Sequence, residues 1–266
     1  MNHIQFSIIA SPAEQEVLIA QLSEVGAEGF EEYTDRLLAY FIEGSFSIEI
    51  VNELVRSYSY QQEVLAEKNW NAVWEENFTP VIVDNFCGIR AHFHEPVKGV
   101  DLEIVITPKM SFGTGHHATT YMMIEQMKGM QFQDREVFDF GTGTGILAIL
   151  AKKLGAAKVT AIDVDEWSIS NAAENFERNG ISGINLYESS SLPQSMFEVV
   201  LANINKNVLI QFAQGLGGII KPDGYLLISG ILESDEDEIC SSYSNEGLKL
   251  IKRLQSGNWL SLLFKR

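Results

Sequence analysis

Cysteine is nearly missing from this chain of 266 residues: Cys87 and Cys240 are the only two, and they form no CxxC pair. That excludes a disulfide-stapled scaffold and points to a reducing compartment. Positive charge is scarce as well, with 19 Lys and Arg against 36 Asp and Glu and a formal net charge of -17. Such a balance repels phosphate backbones, so no direct nucleic acid binding is expected, whereas a basic partner is attracted. Long apolar runs are absent: nothing approaches the ~20 residues of a membrane span, and the opening MNHIQFSIIA has neither a basic leader segment nor a long apolar core. A cytoplasmic protein without membrane contact is expected. No Gly/Ser-rich tether interrupts the chain, nothing demands more than a monomer, and the length allows one large domain or two smaller ones.

What the chain does have is VFDFGTGTGILAILA, Val137 to Ala151. An apolar run reaches Asp139, glycines follow at alternate positions (Gly141, Gly143, Gly145), and an Ile/Leu/Ala-rich segment of helical propensity comes next. The pattern is strand, glycine turn, helix. Glycines are needed where the backbone takes φ > 0 or comes within contact distance of a ligand, and the helix behind them offers free N–H groups. Two ligand classes use such a loop. Gly143-x-Gly145-x-x-Ala148 fits the dinucleotide fingerprint, while Asp139-x-Gly141-x-Gly143-x-Gly145 fits S-adenosyl-L-methionine (AdoMet). Asp139 separates them, because a carboxylate there repels a pyrophosphate but suits an ammonium and a sulfonium. The next strand, Lys158 to Ile162, ends at Asp163, about 20 residues past the loop, where an acid accepts hydrogen bonds from both ribose hydroxyls. That position serves NAD and AdoMet alike. A glycine turn that only packs helix on strand would not need this acid.

In chain order, residues 3 to 10 alternate as a strand, and Ser11-Pro12 opens a helix to about Val25, stopped by Gly26. Ala27 to Tyr33 and Leu37 to Ile42 read as strands, Phe46 to Tyr58 as a helix and Gln62 to Ala66 as a last strand. The order βαββαβ predicts a small ferredoxin-like domain over 1–66. From Met1 to Tyr60 it carries Glu14, Glu16, Glu24, Glu28, Glu31, Glu32, Asp35, Glu43, Glu49 and Glu53 against Arg36 and Arg56. Singly these read as solvated surface; together they make a dock for a basic macromolecule. Residues 67–79 follow as a helical connector, with Trp70 and Trp74 four apart and so on one helix face. Residues 80–266 then hold short strands (Val81 to Val83, Gly88 to Phe93, Leu102 to Ile106) and the glycine motif.

Five further stretches matter. In Thr107 to Thr120, TPKMSFGTGHHATT, Gly113-Thr114-Gly115 predicts a tight turn, and Thr119 and Thr120 lie where a helix begins with hydroxyls free to bond a ligand. His116 and His117 invite a metal reading, but no Cys or acid cluster completes a ligand set, so no metal is expected; a lid hinged on these glycines is. Asp165 caps the helix Glu166 to Arg178, which Asn179-Gly180 stops. The strand Glu198 to Ile204 puts Asn203 on the sheet edge shared by Gly141 and Asp163, where its carbonyl can accept from an amine and face the cofactor. Asn205 and Asn207 read as turn residues. Lys221-Pro222-Asp223-Gly224 predicts a turn before the strand Tyr225 to Ser229. The end, Leu248 to Leu254, Ser256-Gly257-Asn258 and Trp259 to Phe264, is a hairpin and hence an antiparallel edge, which a dinucleotide-binding sheet does not normally have.

A small N-terminal domain, a tryptophan-bearing connector, FGTGHHATT, DFGTGTGILAI, AIDVD and LANI stand here in one order. Over its whole length the chain resembles the PrmA family, the methyltransferases of large-subunit ribosomal protein eleven. The glycine motif is common to all class I methyltransferases, whereas FGTGHHATT joined to LANI is specific. The resemblance implies an α/β, Rossmann-like sheet with an antiparallel C-terminal hairpin and AdoMet as cofactor. It also implies contacts to AdoMet from Thr120, Gly141, Asp163 and Asn203, with Thr114 and the remaining glycines close by. An N-terminal domain that recognises the ribosomal protein, and methylation of lysine and N-terminal amines, are implied as well. Two departures stand out: Lys109 where the family often has glycine, and ANINKNV, which leaves an ANILANP-like run after three residues.

The reaction so implied is attack by a neutral amine on the sulfonium methyl, with positioning supplying ~7 kcal/mol or more of the barrier. No residue stands out as a general base; the ammonium is expected to lose its proton to water, with Asn203 orienting the amine. Three rivals stay open. A methyltransferase for a release-factor glutamine would show Asn-Pro-Pro-aromatic where this chain has Ala-Asn-Ile-Asn. The others are an NAD-dependent oxidoreductase, which fits Asp163 but not Asp139, and a non-catalytic AdoMet-binding protein.

Overall fold

The computed structural model describes residues 3–65, 78–109 and 113–266. The chain divides into two compact units, Met1–Glu76 and Asn77–Arg266. Most of the expected connector, including Trp70 and Trp74, lies outside the described residues, as do positions 110–112 of the expected lid.

The first unit runs β1 (His3–Ile9), α1 (Pro12–Glu24), β2 (Gly29–Glu32), β3 (Arg36–Ile42), α2 (Ile48–Val55) and β4 (Tyr60–Leu65). Alternation in β1 buries Ile4, Phe6 and Ile8 and leaves Gln5 and Ser7 on the opposite face. Glu14 accepts from the Ser11 N–H at 2.8 Å, which with Pro12 fixes the start of α1; Gly26 at φ 95° follows its end. Buried Leu18, Ile19 and Leu22 of α1 and Val51 and Val55 of α2 supply the apolar helix faces, each side chain worth about 1.5–3 kcal/mol when fully removed from water. Phe6 meets Phe41 edge-on at 5.5 Å. The strands lie in the order β2-β3-β1-β4, every neighbouring pair antiparallel.

The second unit opens with a three-stranded sheet, β5 (Val81–Val83), β6 (Cys87–Ala91) and β7 (Leu102–Ile106). There follow α3 (Ala118–Lys128), β8 (Glu136–Phe140), α4 (Ile146–Lys153), β9 (Lys158–Asp163), α5 (Glu166–Arg178), β10 (Ile184–Glu188) and β11 (Phe197–Asn203). The chain ends with α6 (Lys206–Gln211), α7 (Ala213–Gly218), β12 (Ile220–Leu232), α8 (Glu236–Asn245), β13 (Lys249–Ser256) and β14 (Trp259–Lys265). The large sheet has the order β10-β9-β8-β11-β12-β14-β13, parallel from β10 to β12 and antiparallel at β14. Helices cover both faces, so the inner strands are apolar throughout rather than alternating. Val137, Val199, Leu201 and Leu227 face one core with Ile124, Leu147 and Phe176; Phe138, Phe140, Val200 and Ile228 face the other with Leu209, Leu216 and Tyr243. The strand order reverses between β8 and β11, which opens a crevice at their carboxyl ends.

Several sequence expectations need correction. Asn207 is not a turn residue: it lies inside α6, and Asn205 is the cap, its Oδ1 accepting from Val208 N at 3.1 Å. Residues 221–224 do not precede the strand but bulge within β12, which pairs Ile220 with Phe197 and then Tyr225 with Val199, with Asp223 at φ 61°. The second helix is confined to Ile48–Val55 because Ser47 caps it, accepting from Ile50 N. β10, α6 and α7 were not foreseen: the polar, glycine-broken stretches around them carry little periodicity.

Candidate functional site

The glycine loop leaves β8 at Phe140 with Gly141, Gly143 and Gly145 at φ 73°, 54° and 79°. A Cβ on Gly145 would sit 2.5 Å from Phe176 Cε1, and one on Gly141 would collide with Ile204 Cγ2. Gly141 and Thr142 donate to Ile162 O at 3.0 and 2.9 Å, Gly145 donates to Thr142 O at 2.8 Å, and Gly143 donates to Asp163 Oδ2 at 2.8 Å. These amides are satisfied within the protein, so the loop does not offer them as an anion cradle. The site accepts rather than donates.

Two buried acceptors stand out. Asp139 is 1% exposed; Thr142 Oγ1 donates to its Oδ2 at 2.7 Å while Oδ1 has no partner. Burial, opposed by the Thr142 bond and reinforced by the Asp163 carboxylate, pushes its pKa up to about 7. Asn203, at the end of the adjacent β11, donates from Nδ2 to Thr120 Oγ1 at 3.1 Å, and its buried Oδ1 has no partner. A buried acceptor without a donor costs about 1–3 kcal/mol. A ligand carrying hydrogens and positive charge removes that penalty, and a pyrophosphate worsens it. Asp163, at the end of β9, holds Gly143 N and, through Oδ1, Asp165 N at 3.2 Å; each oxygen retains a second lone pair for a hydroxyl. The residues present therefore fit AdoMet and not a dinucleotide.

The structure brings the sequence-derived residues into one continuous set. Thr120 is buried in the first turn of α3. Thr114 joins the loop through its neighbour Gly113, whose carbonyl accepts from Thr144 Oγ1 at 2.6 Å. The histidines serve other ends. His116 Nε2 lies 2.9 Å from Thr79 O and Nδ1 3.3 Å from Thr114 Oγ1. His117 caps α3, packs edge-on against Trp259 at 4.7 Å, and is pushed down to about pKa 4 by burial. Among the described residues no group of His, Cys, Asp and Glu forms a metal cluster.

Sequence reasoning missed Thr142, Thr144, Gly230 and the asparagines Asn171 and Asn175 of α5. Gly230, at φ 86°, sits at a bulge in β12 where a Cβ would collide with Ile204 O, so it allows β12 to lie against the residue that follows Asn203. Lys109, the departure from the family pattern, pairs with Glu174 at 2.7 Å. Burial pushes the Glu174 carboxyl up, but hydrogen bonds from Lys109, Arg178 and Thr107 outweigh it and bring its pKa down to about 2.

With this geometry in place, the model of the family "Ribosomal protein L11 methyltransferase (PrmA)" matches residues 32–266. The chain is 36% identical over 260 residues to the ribosomal protein L11 methyltransferase of Porphyromonas gingivalis, covering 94% of this chain and 90% of that protein. It is 35% identical to that of Chlorobaculum tepidum, covering 98% and 96%. Among solved structures, the ribosomal protein L11 methylase of Lactobacillus delbrueckii subsp. bulgaricus superposes with a TM-score of 0.66 at 28% identity, over 71% of this chain and 99% of that one.

Proposed function

The chain belongs to the ribosomal protein L11 methyltransferase (PrmA) family and is an AdoMet-dependent methyltransferase; from that premise we propose that it methylates lysine side-chain amines and the N-terminal amine of ribosomal protein L11. The observation that carries the reading is the pair of buried acceptors without donors, Asp139 Oδ1 and Asn203 Oδ1, at the carboxyl ends of neighbouring strands. Asp139 would hold the ammonium of AdoMet, Asp163 its ribose hydroxyls, and Gly141, Gly143, Gly145, Thr114 and Thr120 the surrounding wall. Bound AdoMet would supply an activated methyl, which a neutral amine would attack in line as the S–C bond breaks and S-adenosylhomocysteine leaves. Asn203 Oδ1 accepts from the incoming amine and aims its lone pair, while Thr120 Oγ1, bonded to Nδ2, fixes the amide's orientation. A lysine ammonium titrates at about 10.4 in water, and entry into a dry site beside the sulfonium lowers that value. The proton leaves to water before attack.

The first unit is read as a ferredoxin-like substrate-recognition domain. Its βαββαβ order and its four antiparallel strands support the fold. Its acids support the role: Glu16 and Glu31 are half-buried, and Glu14, Glu24, Glu28, Glu32, Asp35, Glu43, Glu49 and Glu53 are exposed, a field suited to a basic ribosomal protein. A seven-stranded Rossmann-like sheet with an antiparallel C-terminal hairpin, a cytoplasmic location and a monomeric state without direct nucleic acid contact complete the reading. No helix among the described residues is long and apolar enough to cross a membrane.

The test is intact and peptide mass spectrometry of purified ribosomal protein L11 after incubation with the protein and AdoMet. Methyls on lysines or the N-terminus are expected. Tight AdoMet binding with no added mass would refute the acceptor and leave the fold and cofactor standing.

A further inference from the structure

Helix α5 carries asparagines at positions 171 and 175, and Asn179 caps its C-terminus, so the three lie four apart along one face. Asparagine is a poor helix former, and all three side chains bond to the same segment. Asn179 exchanges two bonds with Val105, accepting from its N–H at 3.0 Å and donating to its C=O at 2.6 Å. Asn175 Oδ1 accepts from Thr107 N at 2.7 Å, and Asn171 Nδ2 donates to Thr107 O at 3.2 Å. One edge of β7 pairs with β6; the asparagines take the place of a strand on the other. The periods match: four helical residues rise about 6.0 Å and two strand residues about 6.6 Å. The ladder therefore docks β7 and Thr107, the residue that follows it, in a single register on α5.

Asn175 does one thing more. Its Nδ2 donates to Thr144 O at 2.8 Å, inside the glycine loop, and Thr144 Oγ1 returns from that loop to Gly113 O at 2.6 Å. Asn175 is fully buried and both of its amide ends are used. Of the three asparagines it is the one bonded to both Thr107 and the glycine loop. We propose that Asn175 is a positioning residue for AdoMet binding, a clamp that holds Thr107, just past β7, at a fixed distance from the glycine loop. This inference rests on reading that loop as the AdoMet site.

The full-length protein tests it by calorimetric titration with AdoMet, thermal unfolding and steady-state kinetics on Asn175→Asp, Asn175→Ala, Asn179→Ala and Thr144→Val. Asn175→Asp keeps the acceptor toward Thr107 and replaces the donor toward Thr144 O; Thr144→Val removes the bond from the loop to Gly113 without touching α5. All three Asn175 and Thr144 variants should weaken AdoMet binding by about tenfold or more, a lost buried bond with an orphaned partner, and raise the AdoMet KM with kcat at saturation within about threefold. Asn179→Ala, which removes the bonds to Val105 and to the Asn175 carbonyl but none to the glycine loop, should lower the Tm and leave AdoMet affinity within about twofold. Wild-type affinity in the Asn175 variants or in Thr144→Val, or an equal loss in Asn179→Ala, overturns the clamp. Absence of AdoMet binding by the wild-type protein would instead overturn the reading of the site.

Discussion

Replacing Asp139 by asparagine should stabilise the ligand-free protein increasingly as the pH rises. The group's ordinary pKa is 3.8, and burial raises it in the folded state to about 7. A carboxyl with a raised folded pKa favours folding while it is protonated, so its contribution is complete below 3.8 and declines as the pH climbs to about 7, above which it is constant. At 1.36 kcal/mol per pKa unit the whole penalty of ionising Asp139 is about 4 kcal/mol, of which about 2–3 accumulates between about pH 5 and pH 8. The asparagine carries no charge, though its amide would place an unpaired donor where Oδ1 now lies, a pH-independent cost of about 1–3 kcal/mol. The difference in stability between Asp139→Asn and wild type should therefore tilt toward the variant by about 2–3 kcal/mol over that range, or roughly 5–10 °C in Tm. The assay is thermal unfolding of both proteins in a pH series, where the titrations of other acids cancel in the difference. AdoMet binding should reverse the preference, because an ammonium against Asp139 favours the carboxylate; wild type should release a proton on binding near neutral pH and bind more tightly than the variant. Parallel Tm–pH curves with equal AdoMet affinities would refute both the burial of charge and its role.

Asn203→Ala should lower turnover by about 100-fold while AdoMet affinity stays within a few-fold; unchanged turnover in steady-state assays would remove its role. Gly230→Ala should destabilise more than Gly141→Ala in chemical denaturation, because the new methyl meets the Ile204 backbone carbonyl in the first case and a rotatable Ile204 side chain in the second. Both carry strain of about 1–2 kcal/mol from positive φ, and the reverse order would show that Ile204 cannot move. Glu174→Gln should remove stability that is present above the ordinary value of 4.5 and lost as the pH falls toward about 2. The side chain is 31% exposed, so the effect at neutral pH should be about 1–2 kcal/mol; a denaturation midpoint that shifts equally at neutral and acid pH would contradict it.

The strand, glycine turn and helix were legible because three constraints coincide on few residues: an apolar run, positive φ at alternate positions and an acid at the end of the next strand. Asp139, Asp163 and Asn203 were legible as candidates because strand ends in a parallel sheet converge, so a polar residue closing an apolar strand lands at the crevice. The terminal antiparallel strand followed from a turn signal between two apolar runs. What stayed hidden depends on contacts distant in sequence. β10 is an edge strand whose residues are half-buried or exposed, so it has no strong pattern of its own. Gly230 looks like any strand glycine until Ile204 O is placed against it.

The asparagines of α5 were hidden for a different reason. Asn179 beside Gly180 satisfies the local rule for a helix end, and that sufficient local reading conceals the bond to Val105 across 74 residues. A helix-disfavouring residue repeated every four positions cannot be local chemistry, however, because one helix has one C-terminus. Repetition at the helical period means that the partner is itself periodic, and the backbone of a strand edge presents N–H and C=O groups at alternate residues on a matching repeat. The N-x-x-x-N-x-x-x-N spacing thus carries information that its single asparagines do not: it marks α5 as an edge partner for β7, and through Asn175 it ties Thr107 to the loop bearing Gly141, Gly143 and Gly145.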